Sequence, residues 1–171
     1  MSEERVEVIA DKKIAVSIQF LGVAILAVLF PLFPLQQITG PLVNALLFIA
    51  TIILGVRTAL IICFLPSIMS VSIGILPAVM LPMIPVIILG NILLVLLFNN
   101  YNKKNFWLGV VTASFVKFVF IYSLATLLAT EFIKSPLFAK VVGISMGYFQ
   151  LFTALAGGVI AWIFLKFIKR I

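Results

Sequence analysis

FWLGVVTASFVKFVFIYSLATLLA, residues 106–129, carries a single charge, Lys117, near its middle. At ~1.5 Å of rise per residue the stretch makes a helix about 36 Å long, enough to cross a hydrocarbon layer of ~30 Å. The expectation is a transmembrane helix, and with it an all-α integral membrane protein. Lys117 lies about 16 Å along that helix, close to the bilayer midplane. A lysine at this depth costs about 2.5–3.5 kcal/mol on insertion scales, and its side chain has a long way to reach the headgroups. Something must hold the charge, so Lys117 is the first candidate functional residue.

The remainder of the 171 residues supports the same class. Hydrophobic side chains make up 64% of the chain and charged ones 10%, against about 45–50% and ~25% in soluble domains. One helical bundle, a single transmembrane domain over 1–171, accounts for this length, so any energy source is expected to come from outside the chain. Histidine is absent, and four of the five acids, Glu3, Glu4, Glu7 and Asp11, fall near the N-terminus. No metal-ligand cluster, nucleophile–base arrangement or phosphate loop is present, which argues against an enzyme and against a resident metal or other cofactor. Cys63, the only cysteine, reads as a small buried hydrophobe.

Six spans are expected, at 14–33, 42–56, 58–75, 82–98, 106–129 and 141–165. The first lacks the short apolar core and small-residue cleavage site of a secretory signal and is expected to be retained. The apolar stretch from Leu42 to Ile75 is about 50 Å as one helix, too long for one crossing, and reads as a hairpin turning at Gly55-Val56-Arg57. Pro77, Pro82 and Pro85 blur the start of the fourth span. With both termini in the cytoplasm, Arg5, Lys12, Lys13, Arg57, Lys103, Lys104, Lys166, Lys169 and Arg170 are all inside and only Lys134 and Lys140 outside, as the positive-inside rule requires. The net charge of +7 then reflects topology and contact with anionic lipid of the plasma membrane, and not nucleic-acid binding. Two outer connections, Pro31 to Pro41 and Leu76 to Pro85, are uncharged and proline-rich, stiff enough to lie over a cavity or to serve as tight turns.

Lys117 has no evident acidic partner. Glu131, the one acid beyond the N-terminal region, is fourteen residues on and about 21 Å away along a helix. Either Lys117 faces a water-accessible cavity and meets an anionic or carbonyl-bearing ligand, or it is held inside the bundle, hydrogen-bonded to backbone carbonyls and side-chain amides or kept neutral. Asn91, preceded by Gly90, and Asn44, near the outer end of the second span, are further polar candidates; helix bridging and headgroup-level capping are their structural alternatives. In the sixth span Gly143, Gly147, Gln150, Ala154, Gly157 and Ala161 fall on one stripe, a helix-packing surface that carries one polar side chain, Gln150. Tyr122 and Tyr148 are aromatic contacts or interface anchors.

The segment Gln36-Gln37-Ile38-Thr39-Gly40-Pro41-Leu42-Val43-Asn44-Ala45, with Met83-Ile84-Pro85 leading to Gly90-Asn91, resembles the substrate-binding S component of energy-coupling factor transporters. The resemblance implies prokaryotic micronutrient uptake and a pocket toward the outer face, built by the later helices and closed by outer loops. It also implies partners: a transmembrane T subunit and two cytoplasmic ATPases. Lys117, Asn91, Gln150, Asn44 and Gln37 would be the polar contacts to a small solute. The competing expectation is an assembly subunit of a membrane complex, in which the small-residue stripe binds another helix and Lys117 pairs with an acid on that partner.

Overall fold

The computed structural model describes residues 3–33, 35–74 and 78–171, with side chains described from residue 14 onward except that of Gln36. The acids of the N-terminal region therefore have no described side chains, and Pro34 and residues 75–77 of the two proline-rich connections lie outside the described residues. All regular structure among the described residues is helical. Four stretches are long and apolar enough to cross a membrane: Ile14–Leu32, Ala78–Tyr101, Phe106–Ile133 and Pro136–Phe167. Two shorter apolar stretches, Gln37–Ile53 and Val56–Ser72, accompany them. Large apolar side chains are exposed all round the bundle, from Ile18 and Leu21 to Phe132, Ile144 and Phe167, as a lipid-facing surface demands.

Local chemistry sets where each helix starts and stops. Helix α1 spans Glu3–Leu29 and closes in a 3-10 turn, Phe30–Leu32, at Pro31. Helix α2, Gln36–Ile53, ends at Leu54. Gly55 then adopts φ 83°, which glycine tolerates without a Cβ penalty, and the helix breaks at the residue where the turn was expected. The third expected span is two helices, α3 (Val56–Ile62) and α4 (Leu65–Ser72). Pro66 stands in the first turn of α4, where its missing N–H costs nothing, but it cannot continue α3. A second 3-10 turn, Ala78–Met83, leads into α5, Ile84–Tyr101, with Pro85 in its first turn.

Helix α6 is Phe106–Leu127. The Asn105 side-chain oxygen accepts from the Trp107 and Leu108 amides at 2.8 and 3.2 Å, satisfying two donors that the helix start leaves open. Asn105→Ala is expected to cost about 1 kcal/mol of stability and Asn105→Asp to restore most of it, measured by denaturant-induced unfolding in detergent. A π-helical turn, Leu128–Ile133, prolongs α6, and Lys134 ends it in the left-handed region. The sixth expected span is not one helix. Helix α7 runs Pro136–Ser145, the chain breaks at Met146 and Gly147, and α8 runs Tyr148–Phe167.

Two apolar clusters fill the bundle. The larger brings Leu47 and Phe48 of α2 against Leu94, Val95 and Phe98 of α5, Val110 and Ala113 of α6, and Ala154 and Ala161 of α8. Phe98 is wedged edge-on between Phe48 and Phe106, with ring centroids 4.7 and 5.5 Å away. The smaller joins Met80 and Met83 to Val86, Ile121, Ala125, Phe138, Val142 and Met146. Helices α5 and α6 contribute to both, and in each the residue between the two sets is polar. Asn91 lies between Val86 and Leu94, and Lys117 between Ala113 and Ile121.

Candidate functional site

Buried positions on α6 recur every three or four residues, at Val110, Ser114, Lys117, Ile121 and Ala125, so the lysine is carried by helical periodicity on the inward face. It is 3% exposed. Its Nζ donates to Asn44 Oδ1 at 2.6 Å and to Asn91 Oδ1 at 2.8 Å. These are short, charge-assisted contacts from two helices far apart in sequence. Asn44 is fixed in turn, since its Nδ2 donates to the Gly40 carbonyl at 2.9 Å. Gly90 lets α6 come close: a Cβ there would lie 2.7 Å from Ile121 Cδ1 and 3.6 Å from Lys117 Cγ. Gly157 does the same for α8 against α2, where a Cβ would meet Asn44 Cβ at 2.7 Å and the Pro41 carbonyl oxygen at 2.8 Å.

Amide oxygens orient an ammonium but do not neutralise it. Glu131 is exposed in the π-helical turn, so among the described side chains Lys117 is held by amide dipoles with no carboxylate against it. Two of its three donors are used. The lysine, Asn44 and Asn91 border a cavity of about 360 Å³, within the ~300–1,000 Å³ of small-molecule sites. The wall also takes Pro31 and Phe33 from the end of α1, Ser67 and Ser70 from α4, Met80 from the second 3-10 turn, and Met146 from the α7–α8 break.

Of the five residues expected to bind solute, Lys117, Asn91, Asn44 and Gln150 line this one cavity. Gln150 also braces the wall, its Nε2 donating to the Ser145 carbonyl at 3.2 Å and reaching Met146 Sδ at 3.5 Å. Gln37 does not join them: it is exposed in the first turn of α2, and Thr39 and Gly40 of the same segment line the cavity instead. The expected packing stripe is divided by the break at Gly147. Ala154, Gly157 and Ala161 are buried on α8, whereas Gly143 lies on α7, exposed, with open space where a Cβ would be. Tyr122 and Tyr148 both stack on Phe118, at 5.8 and 5.6 Å, and Tyr148 is 84% exposed. Neither borders the cavity. Ser67 and Ser70 carried no signal in the sequence, because serine within an apolar helix commonly bonds its own backbone, as Ser70 does to the Pro66 carbonyl at 2.8 Å.

Ser114, one turn before Lys117, breaks that habit. It is fully buried and its hydroxyl has no hydrogen-bond partner among the described residues. A buried, unpartnered hydroxyl costs about 1–3 kcal/mol. Ser114→Ala is expected to leave stability unchanged or raise it by up to about 2 kcal/mol in unfolding titrations; a clear loss would mean that the hydroxyl bonds something within the folded protein.

Comparison with protein-family models, with curated proteins and with solved structures gives no match.

Proposed function

We propose that this chain is a non-catalytic, solute-binding membrane subunit of the energy-coupling factor type, which captures a small micronutrient at the outer face of the plasma membrane for ATP-driven uptake. The observation that carries the reading is the buried Lys117 side chain, its Nζ held by two asparagines at the wall of a cavity large enough for a small molecule. In this reading the chain crosses the membrane six times, with α3 and α4 together forming the third crossing and both termini in the cytoplasm.

The location of the cavity supports uptake. Its wall is built from the turn after α1, the first half of α2, α4, the second 3-10 turn, the first half of α5, Lys117 in the middle of α6, and the α7–α8 junction. In the six-span reading the end of the first span, the start of the second and the start of the fourth all fall opposite the Lys103–Lys104 loop. That loop shares its end with an aromatic and basic girdle: Trp107 and Trp162 have centroids 5.8 Å apart, and Lys166 Nζ is 4.8 Å from the Trp162 ring. Such girdles mark a membrane interface, and the excess of lysine and arginine marks its cytoplasmic side. In this reading the cavity faces the outside, with Pro31, Phe33 and Met80 at its wall.

Transport itself would require a T subunit and an ATPase pair. Affinity purification from native membranes is expected to bring down these three partners, and native mass spectrometry to find a small molecule retained without ATP. Stable association with an unrelated enzyme, together with an empty cavity, would instead favour the assembly-subunit reading.

A further inference from the structure

The charge inventory of the cavity wall selects among ligands. Among the described residues that line it, Lys117 is the only one with a charged side chain, with no Asp, Glu or Arg. A cationic solute would meet an uncompensated ammonium. A phosphate monoester, at about −1.5 to −2 near neutral pH, would bring more negative charge than the wall can match. A single negative charge balances it, and a carboxylate does so with oxygens suited to the remaining lysine donor.

The rest of the wall describes the rest of the molecule. Val43, Met80, Ile84, Ile87, Val141 and Met146 offer aliphatic and thioether surface. Phe33, the one aromatic ring among the described lining residues, is half exposed, so among these residues no pair of rings is placed to sandwich a flat ligand. Ser67 and Ser70 add hydroxyl groups, and Ser70, already donating to Pro66, can accept from a ligand hydroxyl or amide. The 360 Å³ of space lies at the lower end of the ~300–1,000 Å³ of small-molecule sites, which favours a small solute.

We infer that the cavity takes a small, largely aliphatic monocarboxylate, its carboxylate on Lys117 between Asn44 and Asn91, with at most one or two hydroxyl or amide groups elsewhere. This rests on the reading of the cavity as a solute site and narrows it to one chemical class.

The test uses the full chain in lipid nanodiscs and a matched panel: hexanoate, hexanamide, hexylamine, hexyl phosphate and benzoate, each titrated by calorimetry. Hexanoate is expected to bind at least about tenfold more tightly than hexanamide, as one charge-assisted hydrogen bond requires, and more tightly than the other three. In Asn91→Asp, which sets a near-isosteric carboxylate against the lysine, hexanoate binding is expected to disappear while hexanamide binding changes little. Equal affinity for hexanoate and hexanamide, or preference for the amine, the phosphate or benzoate, overturns the inference. So does a failure of hexanoate to bind. A different solute retained in native mass spectrometry would then leave the uptake reading intact, whereas an empty cavity would remove both.

Discussion

Replacing Lys117 with methionine is expected to abolish solute binding while leaving the bundle folded. The two effects separate because the energies oppose each other in stability and act together in binding. Without the ammonium, the oxygens of Asn44 and Asn91 lose their donor, at about 1–3 kcal/mol for each that stays buried and unpaired. Against this, a lysine near the midplane no longer has to be accommodated, which returns about 2.5–3.5 kcal/mol. Side-chain rotation of the amides and water in the adjoining cavity lower the first cost further. The net change in stability is expected to stay within about 2 kcal/mol. Binding has no such offset. Truncating one partner of a desolvated charge pair costs about 2–5 kcal/mol, or roughly thirty-fold to several thousand-fold in affinity. Calorimetry for binding and detergent-titrated unfolding for stability measure the two separately. Unchanged affinity in Lys117→Met would show that the solute does not contact this lysine. A bundle that failed to fold would show that the Lys117–Asn44–Asn91 cluster holds the helices together before it serves any ligand.

That cluster was half legible in the sequence. A lone lysine in an apolar run stands out because charge is so costly in hydrocarbon, and mid-helix asparagines stand out for the same reason. What hydropathy does not carry is which polar residues meet. Asn44 and Lys117 are 73 positions apart, and their meeting depends on how closely α2, α5, α6 and α8 approach, which is set by glycines whose partners lie on other helices. Gly90 and Gly157 perform that task and Gly143 does not, although all three look alike as small residues in apolar helices. Helix interruptions were legible only in part. Gly55 was readable because an apolar stretch too long for one crossing needs a turn. The break at Met146–Gly147 was missed, because 141–165 has the length and composition of one continuous span and a glycine within a transmembrane helix is common. That break is nonetheless part of the site, since Met146 and the Gln150 side chain that reaches its sulfur both line the cavity.

Gly157→Ala is expected to damage stability and binding together, and Gly143→Ala neither. At Gly157 a Cβ would sit 2.7 Å from Asn44 Cβ, 2.8 Å from the Ala45 nitrogen and 2.8 Å from the Pro41 oxygen. Two of these are backbone atoms of α2, so no side-chain rotation relieves the contact and α8 must move away from α2. Overpacking of this kind costs about 1–3 kcal/mol, and a larger side chain such as leucine is expected to cost more. The displaced atom on α2 is the Cβ of Asn44, whose amide holds Lys117 at 2.6 Å, so the same substitution loosens the cluster and is expected to weaken solute binding. At Gly143 nothing lies within 4 Å of the added carbon. Alanine there gains about 0.5–1 kcal/mol from its lower conformational entropy cost within α7. Paired melting curves in detergent, with hexanoate titrations on the same samples, are expected to rank the proteins Gly143→Ala, wild type, Gly157→Ala in stability, with binding reduced only in the last. Equal behaviour of the two variants would mean that α8 does not approach α2 closely at Gly157, and that Asn44 is positioned by something other than helix packing.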